Sequence, residues 1–192
     1  MKTIIALVPI AIDEKDKKII FAPLTSHLAS IFFDASITIL TDPPQLVDSF
    51  RALFNEQRNR LNSDKLLHYL ATTIIKDNTG PYDLKNTIIL GICSFDAYSS
   101  GLNFVFGQAS PTRGVAAIYL PRLRQEFYGI AADISIFMER VLKESTHEVG
   151  HTFGLAHCPK QSCVMHFSNS IVDTDRKAKD FCNACSSKLH QK

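Results

Sequence analysis

The sequence predicts an α/β (α+β) fold, a mixed twisted sheet backed by helices. Three observations predict it. Strand-like apolar runs alternate with helix-like periodicity along most of the chain. The 192 residues are 45% hydrophobic and 21% charged, which suits a globular domain with a sizeable core. The C-terminal stretch has few apolar residues but carries four of the five cysteines, so it needs something other than hydrophobic burial to hold it.

Thr3–Val8 is rich in Ile and Val and is followed by the charged run Asp13–Lys18, the pattern of a buried strand. Met1-Lys2 before an apolar stretch superficially resembles a leader, but no Ala-x-Ala site follows, and a cytoplasmic location is expected. A helix is expected from about Lys18 to Phe32 despite Pro23. Ser36–Leu40 alternates as a strand, and Asp42-Pro43-Pro44 breaks it. Ser63 can cap a helix towards Ile75, with Leu66, Leu67, Leu70 and Ile74 facing the core. Asn86–Cys93 is a continuous apolar strand, in which Cys93 is an inert buried thiol. Asn103–Phe106 and Gly114–Leu120 are further strands, the second ended by Pro121. From about Ala132 a helix runs on to residue 151. Phe137, Val141 and Leu142 supply its buried side, and Glu139 is placed to pair with Lys143 at i,i+4.

That helix carries the chemistry. Residues 147–157 read His-Glu-Val-Gly-His-Thr-Phe-Gly-Leu-Ala-His. His147 and His151, four residues apart, stack on one helix face and can share a metal at about 2.0–2.1 Å. Glu148 can reach a water on that metal as general base. A continued helix would carry His157 roughly 15 Å along the axis from His147. Gly154 solves this by taking positive φ at the helix end and turning the chain back. Three protein ligands leave a fourth position open, the catalytic pattern for zinc.

Cys158 and Cys163, then Cys182-x-x-Cys185, have the spacing of a closed structural zinc site. Two disulfides are the competing reading, and a reducing compartment favours zinc. A net charge of +2 predicts neither nucleic-acid nor membrane binding. No run of 18 apolar residues exists, and Asp173–Asp180 mixes charges rather than forming a basic stripe.

The set His147, Glu148, His151, Gly154, His157, Cys158, Cys163, Met165, Cys182 and Cys185 resembles the archaemetzincins, a metzincin branch of zinc peptidases. Arg124 and Phe127-Tyr128-Gly129 add a less specific likeness. The resemblance implies two zinc ions per chain, a catalytic one on His147, His151 and His157 and a structural one on the four cysteines. It implies that Met165 is the Met-turn residue beneath the catalytic metal. It also implies a metzincin-like single catalytic domain, with an active-site helix, a larger N-terminal subdomain (1–154) and a small zinc-stapled C-terminal one (155–192). The cleft between them lies beneath an edge strand, for which Asn103–Phe106 is the candidate, able to pair with an extended substrate. Some metzincins place a Tyr two residues after the Met. Here His166 and Phe167 follow, so that phenolic donor is absent, and His166 is expected at the surface.

The function expected is zinc-dependent hydrolysis of a peptide or protein substrate, by an aminopeptidase or a narrow-specificity peptidase, with Glu148 moving the proton. An aminopeptidase needs an acidic group for the substrate ammonium, and Asp96 or Glu126 is available. The alternative is a zinc-dependent binding or structural protein, which would have no need of Glu148. Because Cys158 follows His157 directly, the structural zinc is expected to help orient the catalytic ligand.

Overall fold

The computed structural model describes residues 2–40, 52–74 and 86–189. Five strands form the main sheet: β1 (Thr3–Ile10), β2 (Ala35–Ile39), β5 (Thr87–Cys93), β8 (Gly107–Ser110) and β9 (Val115–Tyr119), in the order β2-β1-β5-β9-β8. The first four in that order run parallel, and β8 pairs antiparallel with β9. A smaller sheet orders β3 (Phe54–Asn55), β4 (Arg60–Asn62), β6 (Ala97–Ser99) and β7 (Leu102–Val105) in sequence.

The apolar runs of β1, β5 and β9 are explained by burial on both faces, the condition of a parallel sheet covered by helices. Side chains alternate strictly between two clusters. Ile5, Leu7, Ile88, Leu90, Ile92, Ala116 and Ile118 face α1 (Glu14–Ile31) and the active-site helix α3 (Ile134–Thr152). Val8, Ile10, Ile89, Cys93, Ala117 and Tyr119 face α2 (Ser63–Tyr69). Each fully buried Leu or Ile contributes about 1.5–3 kcal/mol. Register is therefore strongly held, because a one-residue slip would invert the faces.

Several expectations shift. Helix α1 starts at Glu14, four residues early, because Asp13 Oδ1 accepts the Asp16 N–H at 2.7 Å and caps it. The charged run after β1 is thus the helix's own first turn. Pro23 is exposed and does not end the helix. Asn62, rather than Ser63, caps α2 by accepting from Lys65 N. This helix passes into a π turn at Leu70–Ile74. Asp42-Pro43-Pro44, Ile75 and the side chain of Ile74 lie outside the described residues. Glu139 does not meet Lys143. It pairs with Lys179 at 3.7 Å, while Lys143 Nζ donates to the Asp175 carbonyl.

Residues 155–189 contribute two short helices, α4 (Ile171–Arg176) and α5 (Asn183–Leu189), around a small cluster of Leu155, Cys163, Val164, Met165 and Cys185. Ionic contacts tie this segment to α3. Buried Arg140 holds both Asp175 carboxylate oxygens at 2.7 Å and also donates to the Leu123 carbonyl. Some charges of the mixed segment Asp173–Asp180 have structural partners: Asp173 caps α4, Asp175 grips Arg140, and Lys177 is fully buried. Arg124 forms an ion pair with Asp16 and lies over the Phe137 ring, joining α1 to α3. Among the described residues no helix is long and apolar enough to cross a membrane.

Candidate metal centres

Helix α3 ends in a Schellman turn. Gly154 has φ +83°, its N–H donates to the His151 carbonyl, and the Leu155 N–H donates to the Gly150 carbonyl. A side chain at position 154 would strain this left-handed conformation. The turn returns the chain so that His157 stacks near His147, with ring centroids 5.3 Å apart, and meets His151 edge-on at 4.8 Å.

The imidazoles are fixed from behind. His147 Nδ1 lies 2.7 Å from the Val164 carbonyl, and His151 Nδ1 lies 2.7 Å from the Leu155 carbonyl. Carbonyls only accept, so both Nδ1 atoms carry the proton and both Nε2 atoms present a lone pair. Those two Nε2 atoms are 3.1 Å apart. Two lone pairs cannot bond each other, but a cation between them satisfies both. Tetrahedral zinc with bonds of about 2.0–2.1 Å would separate two nitrogens by about 3.3 Å. The ligand atoms of His147, His151 and His157 all lie within 4.8 Å of one another, so the donor set fits zinc. Burial holds all three imidazoles below their ordinary pKa and keeps them neutral, as ligation requires; Lys177 and, for His147 and His157, the neighbouring His151 lower them further.

Glu148 sits beside them, 5% exposed. Burial, and then the Glu144 carboxylate, push its carboxyl well above the usual range, while Lys177 opposes the shift. It faces β8 at close quarters. A Cβ on Gly107 would stand 2.6 Å from Glu148 Cγ and Oε1, so only glycine leaves the carboxylate its place. Gly150 does the same for Met165, whose Sδ would lie 2.7 Å from a Cβ there. Met165 is fully buried, and its carbonyl accepts the Cys158 N–H. Val164 and Met165 therefore brace His147 and the His157–Cys158 step together.

Cys158, Cys163, Cys182 and Cys185 gather their sulfurs within 4.8 Å, with Cys158 Sγ and Cys182 Sγ 3.8 Å apart. A disulfide needs about 2.05 Å. Tetrahedral zinc with bonds of about 2.3 Å puts its sulfurs about 3.8 Å apart. The backbone N–H of Cys185 helps hold the Cys182 thiol down to about 7, which favours the thiolate. Cys93 stands apart, fully buried, and burial pushes its thiol up to about 12.

The imidazoles and Glu148 line a cavity of about 540 Å³, walled on one side by β7 and β8 and on the other by Phe167, Ser168 and Asn169, with Glu144 and Lys177 also in its lining. The edge strand over Glu148 is β8, Gly107–Ser110. The Asn103–Phe106 segment lies one strand earlier, mostly in β7 at the edge of the smaller sheet. Neither Asp96 nor Glu126 lines the cavity. Arg60 and Arg122 engage Asp96 at 2.9 and 2.7 Å. His166 is half-buried rather than at the surface, with Nδ1 2.9 Å from the Cys158 carbonyl, while Phe167 packs against the His157 ring at 4.9 Å. Sequence reasoning missed Gly107, Glu144 and Lys177, because no spacing rule links a strand glycine or a distant lysine to the helix motif.

The chain's similarities agree with this geometry. The model of "Peptidase family M54" matches residues 37–191. The archaemetzincin of Pyrococcus furiosus is 40% identical over 195 aligned residues, covering 100% of this chain and 95% of that one. The archaemetzincin of Sulfolobus acidocaldarius is 41% identical over 165 residues, covering 86% of this chain and 85% of that one. A solved zinc-dependent peptidase from Methanocorpusculum labreanum superposes with a TM-score of 0.82 at 29% identity, covering 97% of this chain and 100% of that one.

Proposed function

The chain belongs to peptidase family M54, the archaemetzincins, and is a zinc metallopeptidase; from that premise we propose which of its residues carry the hydrolysis. The observation that supports the assignment most is the pair of Nε2 lone pairs on His147 and His151, aimed at one point by carbonyls behind each ring. His147, His151 and His157 hold the catalytic zinc. Bound there, zinc supplies Lewis-acid polarisation of the scissile carbonyl and a lowered pKa for water. Glu148 is the general base: its carboxylate takes the proton of the attacking water and then gives it to the leaving nitrogen. Burial of Glu148 suits both halves, because a carboxylate whose pKa is pushed upward takes the proton from water more readily and holds it until the leaving nitrogen accepts it.

The peptide lies extended along β8, whose outer edge ends the main sheet, and pairs with it through main-chain hydrogen bonds. Gly107 brings that edge directly over Glu148. The four cysteines hold a second, structural zinc that closes residues 155–192 into a small subdomain against residues 1–154. The test is incubation of zinc-loaded protein with a mixed peptide pool beside Glu148→Ala, followed by mass spectrometry. Cleavage is expected from the wild type and should fall by about 10²–10⁴-fold in the variant. Equal products from both would overturn the assignment. Stepwise loss from N-termini would show an aminopeptidase and internal cuts an endopeptidase.

A further inference from the structure

Glu144 lies one helical turn before Glu148 and lines the same cavity. Its Oε1 is engaged twice, by Lys177 Nζ at 2.9 Å and by the Thr174 hydroxyl at 3.1 Å. Among the described residues its Oε2 has no hydrogen-bond partner, and it is not sealed from the cavity. The Glu144 side chain is 4% exposed, whereas that of Lys177 is 0% exposed. Behind the carboxylate, the Lys177 ammonium has one further contact, 3.5 Å from the His166 carbonyl. Seen from the cavity, the floor is therefore an oriented carboxylate oxygen with its counter-charge hidden.

Two carboxylates, Glu144 and Glu148, line the cavity against one lysine, and that lysine is sealed. An aliphatic side chain seated on this floor would desolvate Oε2 without replacing its hydrogen bond. A substrate carboxylate seated on this floor would meet the Glu144 carboxylate before it met the ammonium. A cationic donor satisfies Oε2 with a charge-assisted bond. We propose that Glu144 is the specificity-determining residue of this cavity and binds a cationic group of the peptide, an ammonium or guanidinium, close to the scissile bond. Lys177 is its positioning residue, holding Oε1 so that Oε2 points inward. The inference rests on reading the cavity as the peptide site.

The test measures binding, so it does not depend on turnover. Zinc-loaded Glu148→Ala protein is titrated with labelled peptides that differ at one position (Lys, Arg, Leu or Glu), each with a free and an acetylated N-terminus. The Lys and Arg peptides, or the free N-termini, should bind about 10–100-fold more tightly than the Leu and acetylated counterparts. Glu144→Gln in the same background should reduce that ratio to within about 3-fold. The double variant Glu144→Leu/Lys177→Met keeps the floor filled and uncharged, and should turn the preference towards Leu. Loss of affinity on acetylation assigns Glu144 to the α-amino group. Indifference to acetylation assigns it to a basic side chain. Equal binding of the Lys and Leu peptides with no effect of acetylation, a preference that survives Glu144→Gln, or no binding at all would overturn the proposal. Cleavage by protein with Glu148 intact is scored separately, so failure of the peptidase assignment is distinguishable from failure of the cationic preference.

Discussion

His157 and Cys158 are neighbours in the chain, yet they belong to two clusters built on opposite plans. The histidine cluster rests on a 19-residue helix packed against the main sheet, with each helical imidazole steered by a backbone carbonyl. One side of it opens on a cavity. The cysteine cluster lies in short helices and turns around five buried residues, and its four sulfurs face one another. The first cluster takes its order from the fold, and a metal held there would keep a coordination position for chemistry. The second lies where the fold has little core to offer, so a metal held there would supply the order. The comparison teaches that the difference in ligand count, three against four, is matched by a difference in what stands behind the ligands and what lies in front of them.

If the cysteine cluster is the source of order, breaking it should do the most damage. Cys163→Ser with Cys185→Ser should lose one zinc per chain by elemental analysis and lower the thermal midpoint substantially. It should also weaken zinc at the histidines, because Val164, Met165 and Leu155 lie in the same small cluster that steers His147 and His151. Normal zinc affinity at the histidines in that variant would show the clusters to be independent.

The histidine side is more sensitive to displacement than to loss of stability. Gly107→Ala places a methyl 2.6 Å from Glu148 Cγ, so the carboxylate must move. kcat should fall by about 10²-fold while zinc content stays normal. Gly150→Ala pushes on the Met165 sulfur at 2.7 Å, and should cost about 1–3 kcal/mol in chemical denaturation, as overpacking does.

The smallest effect is electrostatic. Burial holds His27 below its ordinary value of 6.5, and its Nε2 lies 3.0 Å from the Thr146 hydroxyl. The unfolded chain therefore binds this proton first as pH falls. The stability contributed by neutral His27 is intact above pH 6.5 and declines between 6.5 and the lowered folded value. His27→Gln should flatten that part of the stability–pH curve, read by urea titrations at several pH values.

The contrast also explains what could be read from the sequence. The three histidines, Glu148 and Gly154 lie in one helix and its terminal turn, where geometry is local and spacing is enough to place them. The strands were legible because parallel strands buried on both faces leave long apolar runs, as in Thr87–Cys93. Partners distant in sequence were not. Lys177 looks like one charge among many until the fold brings it 2.9 Å from Glu144, 33 positions away. The edge strand was displaced by one because Leu102–Val105 and Gly107–Ser110 follow each other directly and only sheet membership separates them. The run Asp13–Lys18 reads in sequence only as the charge that bounds the first strand, although the Asp13 side chain starts a helix.

The central claim, one open centre for catalysis and one closed centre for structure, is tested most directly by a stepwise chelator titration that follows zinc content, peptidase activity and circular dichroism together. Two zinc ions per chain are predicted. The first should leave with activity while the helical signal persists, and the second should leave only as residues 155–189 lose their structure. A single zinc per chain, or two that depart together without loss of fold, would contradict it.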